Sequence, residues 1–183
     1  MIDYSWKILA NRWRVRSALV VLVAVLALAA PTWISVGGGA AVAAAGLGIR
    51  FWAAGHIRKD KRLAVSGPYR FTRNPLYLGS FILGLGLVWC GRTWWGAGIF
   101  AAYFALFYVP VMAEERDRLR KLFPQDYPAY ERNVPLFLPW RKPAPPTEPR
   151  NWDPAVFRRN REYRAWVGTI VVWGLFIARM YLP

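Results

Sequence analysis

Tyr69, Arg73, Asn74 and Tyr77 crowd into the stretch SGPYRFTRNPLYLG, residues 66–79. Gly67-Pro68 is a turn signal, and Asn74-Pro75 sets a good N-cap residue before a proline suited to the first helical position, which predicts a helix from Pro75. The residues that follow, 76–90, are apolar throughout, so this helix start lies where an aqueous loop enters a membrane. Its unsatisfied N–H groups, with Arg73 beside them, suit a carboxylate or phosphate. About forty residues further on, Glu114 and Glu115 close an apolar run. Carboxylates at a membrane boundary are functional candidates by default, although a solvated face shared with Arg116, Arg118 and Arg120 explains Glu114 equally well. His56 sits at another such boundary, where it is either an interfacial residue or a proton acceptor. Glu114 and His56 are the candidates for a base.

The elements that must position these groups are membrane helices. A chain of 183 residues with 56% hydrophobic residues, eleven Trp and several long apolar runs reads as a small all-α polytopic membrane bundle. Its formal charge of +15 would suggest nucleic acid in a soluble protein, but here the basic residues flank apolar spans and follow the positive-inside bias, so no nucleic-acid partner is expected. One cysteine, Cys90, and one histidine exclude an internal disulfide, a thiolate zinc cluster and multi-histidine metal chemistry. The basic N-terminus resembles a signal peptide, but Pro31-Thr32-Trp33 is a poor cleavage site and a retained first helix is expected.

About five transmembrane helices are expected. The first covers residues 18–33, extending toward Val36, and the second covers 37–54, whose run GGGAAVAAAGLG lets helix backbones approach closely. The third, 76–90, is short of the ~20 residues that cross a bilayer, and a helix start sunk below the headgroups is tolerated only when buried in protein or lining a wet cavity. Gly84-Leu85-Gly86 within it reads as packing. The fourth runs over 94–112 and continues to about Leu122 before Pro124. Residues 139–153 read as a proline-rich surface linker and 165–182 as a fifth span. The domain reading is therefore a core at 1–140, a basic cytoplasmic linker at 141–164 and an additional C-terminal helix at 165–183. With five spans, only Arg92 and Arg179 of the 25 Lys and Arg residues fall on the far side, which places the N-terminus and both motif segments in the cytoplasm.

The spacing of residues 66–79 resembles the GPYxxxRHPxY signature of the superfamily of isoprenylcysteine carboxyl methyltransferases and phospholipid N-methyltransferases. EERDRLRKLFPQDYPAYERNVPLFLPW, residues 114–140, resembles that family's second signature: paired Glu, Phe, two Tyr and a Val-Pro-x-Phe-x-Pro close. Between Gly67 and Phe123 the chain aligns with the carboxyl methyltransferase pattern without a gap. The resemblance implies S-adenosyl-L-methionine as cofactor, a cofactor pocket on the cytoplasmic side and a hydrophobic or lipid acceptor, with no metal. It places Tyr69, Asn74, Tyr77 and Glu115 on cofactor contacts, Arg73 beside the methionine carboxylate, Glu115 on its ammonium group, and backbone groups of Leu63, Ala64 and Val65 at the adenosine end. Methyl transfer from an already activated donor requires binding, alignment and exclusion of water rather than a metal or triad.

Two positions depart from the pattern. Asn74 stands where the family has histidine, keeping a hydrogen-bond donor without a positive charge. Val111 stands where the prenyl-protein enzymes place an arginine that resembles a clamp for the substrate carboxylate, so an acceptor wall at Val111 is expected to be apolar. A lipid amine, a lipid carboxylate and a small hydrophobic molecule all remain open as acceptors. Two other classes stay in view: NADPH-dependent membrane reductases, which have a similar Arg-x-Pro-x-Tyr signature, and a non-enzymatic membrane scaffold.

Overall fold

The computed structural model describes residues 4–58, 62–145 and 151–181. The middle of the expected linker, 146–150, and Leu182 of the expected fifth span lie outside the described residues. Within them the secondary structure is helical: α1 (Tyr4–Ala27), α2 (Trp33–Ala54), a 3-10 turn (Gly67–Arg70), α3 (Pro75–Gly91), α4 (Trp94–Leu122), α5 (Tyr127–Asn133), α6 (Pro154–Asn160) and α7 (Tyr163–Arg179). Two of these, α2 and α4, are long and apolar enough to cross a membrane by length and composition, while α3 is shorter. Ile34, Trp94 and Trp95 are 86%, 93% and 77% exposed. Large apolar surfaces of this kind mark a lipid or protein partner.

The first boundary differs from the sequence expectation. The break falls at residues 28–32, so Trp33–Val36 open the second helix instead of closing the first. A reciprocal cap is the cause: Thr32 Oγ1 accepts from Ser35 N at 3.3 Å and Ser35 Oγ accepts from Thr32 N at 2.9 Å. Ser35 Oγ also donates to Cys90 O at 3.0 Å, which pins the start of α2 to the end of α3. α3 begins at Pro75 and α4 ends at Leu122, as the proline signals predict.

α2 and α3 form an antiparallel pair at backbone contact. A Cβ on Gly39 would lie 2.5 Å from Gly86 O, and one on Gly46 would lie 2.6 Å from Gly79 O, so small residues at equal intervals on both helices are what let them meet. α1 packs on α4. α7 runs antiparallel to α2: Glu162, at its start, pairs with Arg50, and Trp173 Nε1 donates to Val36 O at 3.1 Å near its end. Phe176 is completely buried with Val25, Ala29, Val36 and Cys90, so the C-terminal helix is built into the bundle.

The described ends of the proline-rich stretch are docked rather than free. Arg70 Nε donates to Ala144 O at 2.6 Å and Ala144 N returns a bond to Arg70 O at 3.0 Å. Trp152 stacks on Phe51 at 4.6 Å and donates to Phe51 O at 3.0 Å.

Candidate functional site

Gly67 makes the turn that starts the site. Its φ is +58°, a region L side chains rarely adopt, and a Cβ there would lie 2.6 Å from the His56 ring, so only glycine fits. His56 itself is buried beneath the turn with Nδ1 3.1 Å from Ser66 Oγ, and burial pushes its imidazole below the usual value of 6.5. Pro68 then directs Tyr69 inward, where it is 5% exposed. The Tyr69 hydroxyl is buried and has no hydrogen-bond partner among the described residues. Burial first, then Tyr130, Glu162, Glu115 and Tyr77, push this phenol well above its usual range.

The start of α3 is fastened to the second signature segment. Arg73 N donates to Pro135 O at 2.9 Å, and Thr72 Oγ1 donates to Leu136 O at 3.3 Å. Asn74 does not cap α3 with its side chain. Its Nδ2 donates instead to Leu136 O at 3.0 Å, and its backbone N–H goes to Thr72 Oγ1 at 3.2 Å. That bond turns the carboxamide toward the loop, and its oxygen makes no cap to the α3 N–H groups. Arg73 Nη1 pairs with Glu131 at 2.6 Å and also donates to Tyr127 OH at 3.2 Å, while Arg120 holds the other Glu131 oxygen at 2.8 Å. Tyr130 OH donates to Tyr69 O at 2.8 Å. The two segments are thereby one unit.

Between them lies a cavity of about 450 Å³, within the range of small-molecule sites. Of the sequence candidates, Leu63, Ala64, Tyr69, Arg73, Asn74, Tyr77 and Glu115 line it. Val65, Val111, Glu114 and His56 lie outside its walls: Val111 is 4% exposed and buried between helices, and Glu114 has a buried Oε2 without a partner among the described residues. Glu115 faces the cavity, 3.7 Å from Arg118.

Sequence reasoning missed Arg50, Ser80, Tyr103, Tyr108 and Glu162, all of which line the same space. Arg50 Nη1 donates to Ser80 Oγ at 2.5 Å and to Leu76 O at 3.2 Å, and Nη2 pairs with Glu162 at 2.5 Å. An arginine just after the small-residue run of α2, still inside the apolar helix, was a usable signal, because an ionisable group in an apolar span needs a partner. Tyr108 stacks on Phe104 at 4.5 Å and meets Tyr77 edge-on at 5.6 Å. Ala18, Arg50, Ser80, Tyr103 and Tyr108 also border a second, largely apolar crevice of about 380 Å³. A chamber of mixed polar and apolar lining and a largely apolar one thus share a wall.

The family model described as phospholipid methyltransferase matches residues 19–126. Among curated proteins, the chain is 39% identical over 94 residues to the nickel-cobalt-cadmium resistance protein NccN of Alcaligenes xylosoxydans xylosoxydans, covering 49% of this chain and 43% of that one. It is 36% identical over 92 residues to the cobalt-zinc-cadmium resistance protein CzcN of Cupriavidus metallidurans, covering 49% and 42%. Methanethiol S-methyltransferase 1 of Bradyrhizobium diazoefficiens is 32% identical over 82 residues, covering 40% and 25%. The chain spans less than half the length of each of these relatives. No solved structure matches.

Proposed function

Given that the chain belongs to the phospholipid methyltransferase family, we propose that it transfers a methyl group from S-adenosylmethionine to a hydrophobic acceptor at a membrane. The observation that carries this reading is the cavity walled by both signature segments, with the unpartnered Tyr69 hydroxyl buried in its lining. A phenol hidden from water without a partner costs free energy unless a ligand meets it.

The residues present fit the cofactor. Glu115 suits an ammonium group, the start of α3 suits a carboxylate, and Tyr69 and Tyr77 supply polar tips and electron-rich faces toward a cation. Arg73, already bonded to Glu131, adds positive field beside that helix start and holds the second segment in place. Leu63 and Ala64 offer an apolar edge on the same cavity. When bound, S-adenosylmethionine supplies a methyl group on a cationic sulfur: an acceptor lone pair forms the new bond as the carbon–sulfur bond breaks with its electrons returning to sulfur. A protic acceptor also sheds a proton; with Glu115 given to the ammonium group, Glu162 is the carboxylate left on the cavity wall among the described residues, and Glu114 and His56 lie outside it.

Five spans, α1 to α4 and α7, with the N-terminus and the cavity cytoplasmic, agree with the antiparallel course of α7 along α2 and with the distribution of Lys and Arg. Incubating membranes that contain the protein with methyl-labelled S-adenosylmethionine tests the activity. Label entering a lipid-soluble product in a Tyr69- and Glu115-dependent manner is the result expected. Label confined to the donor, with NADPH consumed instead, would overturn the reading.

A further inference from the structure

We propose that the C-terminal helix selects the acceptor: α7 walls the apolar crevice, which receives a single-chain or compact apolar molecule with an uncharged head. This rests on the methyl-transfer reading for its purpose, but the crevice is a physical feature of its own. Ala165, Gly168, Thr169 and Val172 face it at the i, i+3, i+4, i+7 spacing of one helix stripe. Ala18, Val21, Leu22 and Val25 of α1 face it at the same spacing. Thr169 turns its hydroxyl back to Ala165 O at 2.8 Å, which leaves its methyl group for the crevice. The far end is closed by the cluster around Phe176, which Val25, Leu87 and Val172 join.

Charge decides the head group. Arg50 is the one charged side chain among the described residues lining the crevice, and its charge is matched by Glu162 at 2.5 Å. Arg50 Nε is buried without a hydrogen-bond partner among the described residues, so one donor is open to a ligand, but a carboxylate or phosphate would lose its hydration beside an arginine whose charge Glu162 already offsets, whereas an uncharged head gives up far less. At about 380 Å³ the space is near the lower end for ligand sites, which favours one chain over two. The polar end of such a molecule comes to rest beside Ser80, Tyr103 and Tyr108, on the wall shared with the first cavity.

The test uses the full chain in lipid nanodiscs and a diazirine-bearing eight-carbon alcohol as photoactivatable probe. Label is expected on the facing stripes of α1 and α7, displaced by 1-octanethiol at concentrations at least about tenfold below those needed for octanoate, a difference of about 1.4 kcal/mol. A Cβ on Gly168 meets open space, so Gly168→Phe should fill the crevice and lower labelling by about tenfold or more. Ile170→Phe, on the exposed face, should change nothing. Should Gly168→Phe fail to fold, Ala165→Leu serves by the same criterion. Label elsewhere, equal competition by octanoate, or unchanged labelling of the filled variant overturns the proposal. S-adenosylmethionine titrated into the same samples separates the two readings: no binding with labelling intact contradicts the methyl-transfer reading and supports the crevice as a neutral-ligand site.

Discussion

Arg50 and Glu162 meet at 2.5 Å across 112 residues of sequence, with side chains 19% and 13% exposed. The pair joins α2 to the start of α7, and Arg50 reaches on to Ser80 and Leu76 of α3. Removing one partner leaves a buried charge unmatched, which typically costs about 3–5 kcal/mol, whereas replacing both with apolar residues is often neutral. Arg50→Met and Glu162→Leu singly should therefore lower the unfolding temperature in detergent well below that of the double variant. Additive losses in the double variant would show that the two side chains do not act as a pair.

Gly67→Ala should destabilise the protein by at least ~1–2 kcal/mol, because an L residue at φ +58° is strained and the new methyl group would strike the His56 ring. The site should suffer as well, since this turn aims Tyr69. Thermal unfolding, compared with Ser66→Ala, checks it, and an unchanged midpoint would count against the turn geometry.

His56 is held neutral by burial, with its pKa depressed below 6.5. The unfolded chain then binds the proton more readily, so this contribution is fully present above about pH 6.5 and is lost as pH falls through the folded pKa. A His56→Gln variant should show a flatter stability profile below pH 6.5 than the wild type. Parallel profiles would contradict the burial.

Glu131 behaves in the same direction for a different reason. Burial opposes its ionisation, but Arg73 and Arg120 outweigh burial and hold its carboxyl below the usual 4.5. Stability from this bridge is present above about pH 4.5 and fades as pH falls through the lower folded value. Glu131→Gln should remove that acid-side loss while weakening the protein at pH 7. A wild type whose acid profile matches that of the variant would show that the bridge contributes nothing.

The start of α3 and the end of α4 were legible in the sequence because a proline stands at each, Pro75 opening one helix and Pro124 lying just past the other, although Pro110 sits inside α4 without ending it. The end of α1 was not, since apolar residues continue through Pro31 and hide a Thr32–Ser35 cap that only the backbone geometry shows. That Tyr69, Tyr77 and Glu115 would share one site was implied by the resemblance of both segments to the family signatures, but Arg50 and Glu162 pair over too long a sequence separation for any local pattern to reveal. Asn74 illustrates a subtler limit. Its position was readable, whereas its bond to Leu136 O depends on a loop brought in by tertiary folding.

The most direct measurement is calorimetric titration of the purified protein with S-adenosylmethionine, alongside NADPH, for the wild type, Glu115→Gln and Glu114→Gln. Glu115 lines the cavity and Glu114 does not, and a hydrogen bond to a charged group contributes about 1.5–3 kcal/mol. One S-adenosylmethionine site, weakened at least about tenfold by Glu115→Gln and much less by Glu114→Gln, is the result expected. Binding of NADPH in preference to S-adenosylmethionine, or equal losses for the two glutamate variants, would contradict a cofactor seated against Tyr69 and Glu115.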